Sequence, residues 1–292
     1  MSDSDSPATL SRRQFTRAAA TLAAAAALRP LSASDAPSDL IDTNVSLGRW
    51  PFRRTVLDET PALVAKLREG SVTEAWTGSF DALLHKDIPA VNHRLVEECV
   101  RHGKGLLRPV GAVNPKLPGW EEELRRCTEV HGMHAIRLHP NYHGYTLADP
   151  PAARLFELAA RHGLLVQIAL IMEDERTLHP LVNVPPVDPA PLPDLMKPHP
   201  KLRVQLLNAF RTLRGLPVQS LAAKGIAYEI ATLEGMEGLS NLLAQIPNGR
   251  VCFGSHAPFF YFESAKLKLR ESVLDEAASR AVRFGNARAL LA

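Results

Sequence analysis

From about residue 40 onward, apolar residues follow two alternating rhythms. Short, nearly continuous apolar runs of a strand's length alternate with longer stretches in which apolar residues return every third or fourth position. The first run, Asp39-Leu40-Ile41-Asp42-Thr43-Asn44-Val45-Ser46, begins apolar and turns polar. Further strands are predicted over Val72–Phe80, Leu106–Val113, Ala135–His139, Leu164–Leu170, Leu202–Ala209 and Ala227–Ala231, and an eighth near residue 250 in Val251-Cys252-Phe253-Gly254-Ser255-His256. Helical spacing predicts Thr60–Gly70, with Leu63, Val64 and Leu67 on one face, and Ile88–Gly103, with Val91, Leu95 and Cys99. It also predicts Pro118–His131, whose Glu121, Glu122 and Glu123 suit the positive end of the helix dipole. Pro151–His162, Gly238–Ile246 and a long last helix over Phe262–Ser279 complete the set, and Pro140–Tyr145 reads as a loop.

Strands that alternate with helices pair in parallel, and eight such units close into a (β/α)₈ TIM barrel, an α/β fold. Such barrels carry their chemistry where the strands end, at the C-terminal rim. One segment breaks the rhythm. Residues 172–200 hold eight prolines behind a charged head, Met172-Glu173-Asp174-Glu175-Arg176, as expected of a functional loop or lid.

The first 36 residues read differently. Ser11-Arg12-Arg13-Gln14-Phe15-Thr16-Arg17 pairs two arginines ahead of the alanine-rich run Ala18 to Leu28, and small residues follow at Ser32-Ala33-Ser34-Asp35-Ala36. This resembles a twin-arginine export signal, which implies an exported, periplasmic protein. An alanine-rich helix with two chance arginines is the plain alternative. Residues 37–292 then form the barrel, close to the roughly 250 residues usual for one. Composition changes little: 46% hydrophobic and 22% charged residues fit one large core. A net charge of +3 and the lack of a basic run point away from nucleic acid, and no apolar stretch after the signal is long enough to span a membrane. Three cysteines, Cys99, Cys127 and Cys252, with no close pair, make neither a disulfide framework nor a zinc cluster. Self-association stays open.

The candidate chemistry lies at the predicted strand ends. Asn44 follows the first strand's apolar start, Arg137 and His139 end the fourth, Glu173 lies past the fifth, Asn208 ends the sixth, Glu229 is on the seventh and His256 ends the eighth. A buried Glu beside a His makes a general-base pair, and arginines can hold a carboxylate in two hydrogen bonds. The loop Gly48-Arg49-Trp50-Pro51-Phe52-Arg53-Arg54 reads as anion recognition or as arginines stacked on rings. Tyr142 and His143 are further substrate-side candidates. The competing reading is a polar plug, with Arg137 and Glu229 as a buried ion pair and Asn44 and Asn208 as core amides. If the site is real, His256 faces a rim pocket within reach of Arg137 or Glu229.

Taken in order, several pieces resemble the amidohydrolase-related family of metal-dependent hydrolases and decarboxylases. They are the opening Ile41-Asp42 strand, Gly163-Leu164-Leu165-Val166-Gln167-Ile168, His199-Pro200-Lys201-Leu202-Arg203, Phe253-Gly254-Ser255 and Gly285-Asn286-Ala287-Arg288-Ala289-Leu290-Leu291. The resemblance implies a metal held by His residues on the first, fifth and sixth strands and an Asp on the eighth. Here those positions carry Asn44 and Ser46, Ala169, Asn208 and His256. No cofactor is therefore expected. A different site from His139, Glu229 and His256 would need a further ligand. The resemblance implies a hydrolase acting on a small anionic substrate, with metal independence left open, and with His256, Glu229, Asn208 and Asn44 catalytic. Arg137, His139, Arg49, Tyr142, His143 and Glu173 would bind substrate. Two alternatives stand beside it: a decarboxylase or other lyase, and an inactive binding protein.

Overall fold

The computed structural model describes residues 39–182, 184–247 and 249–292; the expected export signal lies outside the described residues. The strands are β1 (Ile41–Leu47), β2 (Glu74–Ser79), β3 (Leu107–Pro109), β4 (Gly111–Ala112), β5 (Ala135–Leu138), β6 (Leu165–Ala169), β7 (Arg203–Leu207), β8 (Ala227–Glu229) and β9 (Val251–Cys252). Every pairing between them is parallel, in the order β1-β2-β3 and β4-β5-β6-β7-β8-β9. β3 and β4 are one barrel strand broken at Val110, beside Pro109, which has no N–H to give. The Val110 N–H still reaches the Thr77 carbonyl at 2.8 Å, so the chain stays in the wall. The barrel closes where the chain after β9 meets β1: Thr43 N donates to Phe253 O at 3.0 Å, His256 N to Asn44 O at 2.8 Å and Ser46 N to Ala257 O at 2.9 Å. The result is a (β/α)₈ TIM barrel.

The helices follow from their apolar stripes and caps. α1 (Thr60–Glu69) buries Thr60, Leu63, Val64 and Leu67, and α2 (Ile88–Gly103) buries Val91, Leu95 and Cys99 behind an Asp87 side chain that accepts from Ala90 N. α3 (Trp120–Glu129) starts with three glutamates in its first turn. After β5 the chain forms a one-turn helix, α4 (Pro140–His143), where a loop was expected; Pro140 presets the helical φ and Gly144, at φ 67°, ends it. α5 (Pro150–Arg161) returns the chain to β6.

Inside the proline-rich segment lies α6 (Leu192–Met196), and Val187 N bonds Leu170 O at 2.9 Å, which pins the segment to the barrel. α7 (Leu216–Ala223) was not expected: Leu216-Pro217-Val218 and Leu221-Ala222-Ala223 are apolar all round and show no stripe. α8 (Gly238–Leu243) follows β8.

The long last helix is corrected. α9 (Phe262–Glu271) stops at Ser272, which is extended, and Asp275 caps a new helix, α10 (Glu276–Arg280), by accepting from Ala278 N at 2.7 Å. A π turn over Ala281–Gly285 leads to α11 (Asn286–Leu291). The tail completes the last strand: Phe253 N donates to Val282 O at 2.8 Å and Asn286 Nδ2 to Val251 O at 2.7 Å. Among the described residues no helix is long and apolar enough to cross a membrane.

Candidate active site

Three layers stack inside the C-terminal half of the barrel. The lowest is a polar plug. Arg137, Gln167 and Gln205 sit in register on β5, β6 and β7. Arg137 Nε donates to Gln167 Oε1 at 2.9 Å, Gln167 Nε2 to Gln205 Oε1 at 2.8 Å, and Gln205 Nε2 to Thr43 Oγ1 at 2.9 Å. The other guanidinium nitrogens reach Val45 O at 2.9 Å, Trp76 O at 3.2 Å, Ser46 Oγ at 3.3 Å and Thr43 O at 3.5 Å. Burial lowers the Arg137 pKa to about 10, still high enough to hold its charge at neutral pH. A Cβ on Gly78 would stand 2.8 Å from Arg137 Nη1, so only glycine leaves room for the guanidinium there. Arg137, expected to recognise a substrate's charge, thus has its donors on the barrel's own acceptors. Nor does it pair with Glu229; each closes on other partners.

The second layer holds most of the expected catalytic residues, all buried. Glu229 Oε1 accepts from Asn208 N at 2.6 Å and Asn44 Nδ2 at 3.3 Å, and its Oε2 accepts from Ala231 N at 2.5 Å. Asn44 Nδ2 also donates to Asn208 Oδ1 at 2.9 Å. Burial raises the Glu229 pKa against the pull of these donors. A Cβ on Gly254 would fall 2.7 Å from Glu229 Oε2, so this glycine makes space for the carboxyl. Asp42, not singled out from the sequence as a site residue, lies in the same layer. Its Oδ1 accepts from Asn44 N at 3.1 Å and Ser255 N at 3.0 Å, its Oδ2 has no protein partner, and burial pushes its pKa up to about 7.

His256 sits at φ 57° and Asn208 at φ 56°, both left-handed conformations that non-glycine residues seldom adopt. The His256 ring is buried. Nε2 lies 3.0 Å from Met172 O, so the proton resides on Nε2 and the lone pair on Nδ1, which has no protein partner. Burial pushes the His256 pKa down to about 4, and the imidazole is neutral near pH 7. His143 is arranged alike, with Nε2 2.8 Å from Ala82 O and an unpartnered Nδ1; burial lowers its pKa and holds that of His139 well below the usual range. The His139 and His143 rings are 6.1 Å apart.

The third layer is an aromatic roof. Trp50, Phe80, Met172 and Phe259 pack on Ala169 and Leu207, where β6 and β7 end. Trp50 meets Phe259 at 4.8 Å and Phe80 at 5.3 Å between ring centres, and Phe259 meets the His256 ring at 5.1 Å. Tyr142 abuts Trp50, and burial raises the pKa of its phenol. Glu173 is buried and paired with Arg53. Arg49 is remote from these groups, exposed and paired with Glu59 at 2.6 Å. His256 therefore does not face the open rim pocket that was expected of it: the cleft of about 510 Å³ at this edge is lined by Arg53, Phe259 and Phe260, and the Phe259 ring lies between that cleft and the His256 ring. The roof residues and Asp42 escaped sequence reasoning. Aromatics in the Arg49–Arg54 loop and in Pro258-Phe259-Phe260 were the available signal.

A parallel barrel with a buried acid, amide and imidazole layer at the C-terminal ends of its strands places the chain in the α/β-barrel class. Comparison with known proteins narrows the class. A family model described as Amidohydrolase matches residues 51–292, and the chain belongs to the amidohydrolase family. No curated protein matches the sequence. Among solved structures, the barrel resembles 2,6-dihydroxybenzoate decarboxylase from Rhizobium, with 13% identity and a TM-score of 0.66 over 87% of this chain and 98% of that one. It is similar to 5-carboxyvanillate decarboxylase from Sphingomonas paucimobilis, at 13% identity and TM-score 0.66 over 87% and 99%. It also resembles a dihydroxybenzoic acid decarboxylase from Polaromonas with bound manganese and the inhibitor 2-nitroresorcinol, at 13% identity and TM-score 0.67 over 87% and 97%. At such identity the likeness is one of fold.

The residues at the positions that the resemblance implied as ligands do not fit a divalent metal. Among the described residues, no group of three or more His, Cys, Asp or Glu is placed to hold one. Ala169 offers no donor, and the Asn44 amide nitrogen points N–H groups at Asn208 and Glu229.

Proposed function

We propose that this chain is a lyase that decarboxylates a small hydroxylated aromatic acid beneath the roof, rather than the hydrolase first expected from the sequence. The observation that carries the reading is the His256 ring: buried, neutral, fixed in one tautomer by Met172 O and free at Nδ1. Nδ1 accepts the proton of a substrate hydroxyl, the anionic substrate beside the ring offsetting the burial that disfavours the imidazolium. The imidazolium so formed returns that proton to the ring carbon bearing the carboxylate; the carbon–carbon bond breaks and carbon dioxide leaves. The phenolate product takes a proton from solvent on release. Asn44 and Asn208 hold Glu229 beside this path, and the aromatic roof suits a planar substrate and excludes water. The likeness to hydroxybenzoate and carboxyvanillate decarboxylases supports the substrate class. Purified protein is tested against hydroxybenzoates, with carbon dioxide release and solvent deuterium in the product ring as readouts. His256→Ala is expected to lower turnover by about 100-fold or more. Lack of turnover with every acid refutes the reading. A second reading, a binding protein without turnover, is favoured by Asn44, Ser46, Ala169 and Asn208 at the family's ligand positions; saturable binding of these acids without carbon dioxide release supports it.

A further inference from the structure

Outside the roof, the loop after β1 and the segment Pro258–Tyr261 border the cleft of about 510 Å³. Three cations line it, Arg53, Arg54 and Lys66, and they differ in what they have free. Arg54 gives Nε and Nη2 to the two Asp58 oxygens, at 2.5 and 3.0 Å. Lys66 is paired with Glu69 and with Glu263, which also lines the cleft. Arg53 is anchored at one end only. Its Nη1 bonds the buried Glu173 carboxylate, and the guanidinium lies 4.7 Å above the centre of the Phe259 ring. Among the described residues these contacts leave the Nε–Nη2 edge without a hydrogen bond, on a side chain that is 43% exposed.

We propose that this cleft binds a small organic acid with an aromatic body, its carboxylate on the Nε–Nη2 edge of Arg53 and its ring against Phe259, Phe260 and Tyr261. A guanidinium edge of two parallel N–H groups matches a carboxylate in geometry and charge. Anchoring by Glu173 and Phe259 fixes that edge before the ligand arrives, so little side-chain freedom is lost on binding. The volume falls within the range of small-ligand sites. One free edge suits a monoanion. A phosphate dianion would call on a second cation, and Arg54 and Lys66 are already engaged. This site lies on the outer face of the roof and goes beyond the chemistry proposed beneath it.

Phenylacetate titrated into the full chain tests the site, with binding followed by tryptophan fluorescence, since Trp50 meets Phe259, and located by amide chemical shifts. The expected result is saturable binding with shifts centred on residues 53–57 and 259–261. Phenylacetamide, of the same shape without the charge, should bind about tenfold more weakly or worse. Arg53→Gln should lose a similar factor, and because the two-ligand comparison uses the unaltered protein, it stands even if that variant does not fold. Equal affinity for the two ligands, shifts elsewhere, or no binding overturns the proposal. Turnover is not read, so a chain that binds phenylacetate here and decarboxylates nothing leaves this site intact while refuting the proposed reaction.

Discussion

Arg137→Met separates a structural guanidinium from a substrate-binding one. Methionine has similar length and fills the space, but it donates nothing. Gln167 Oε1 and the carbonyls of Val45 and Trp76 then lose donors at 2.9, 2.9 and 3.2 Å inside a dry barrel. Each orphaned acceptor costs about 1–3 kcal/mol, and with methionine filling part of the space the loss is about 3–5 kcal/mol overall. In a domain of this size each kcal/mol shifts Tm by about 2–4 °C, so Tm should fall by roughly 6–20 °C. Calorimetry at pH 7, with the urea midpoint as a second measure, reads the change. A variant that melts within about 2 °C of the parent while losing ligand affinity would refute the plug and return Arg137 to substrate recognition.

The pH dependence of stability has two opposed parts. The folded pKa of His256 lies below its usual 6.5, so stability should fall as pH drops from about 6.5 to about 4, by up to about 3 kcal/mol. Asp42 is raised from 3.8 to about 7, so its part is present at low pH and lost as pH rises through 7; Asp42→Asn should gain stability over the parent at pH 8 and not at pH 4, and equal curves would sink the assignment. His256→Ala should lower turnover by about 100-fold or more with a far smaller Tm change than Arg137→Met, and a comparable drop in Tm would make the imidazole structural. We propose export by the twin-arginine route: Arg12 and Arg13 both changed to Lys should leave uncleaved precursor in the cytoplasm, and unaltered processing would rule the signal out.

The barrel was legible because its strands are continuous apolar runs and its helices carry stripes; the expected starts near 40, 72, 135 and 227 lie within two residues of β1, β2, β5 and β8. What periodicity could not show was local chemistry. Ser272 and Asp275 end one helix and start another through a side-chain cap, and α7 has no polar face to give it a period. At the site, sequence order named Asn44, Asn208, Glu229 and His256, which share one layer, but it could not reveal how donors are allotted. Arg137 lies on β5 and His256 past the end of β9. One faces backbone carbonyls and the other keeps a free nitrogen, a difference set by Gly78 on β2 and by Met172 O, far away in the chain.

In the proposed reaction the roof of Trp50, Phe80, Met172 and Phe259 would set timing as well as shape. A ligand cannot collide with His256 directly; it waits for interlocked rings to part. Association in stopped flow should therefore speed up with ligand concentration only until it meets the rate of that parting, then level off. The plateau belongs to the protein, so chemically different ligands should share it. Trimming Phe259 to leucine should raise it.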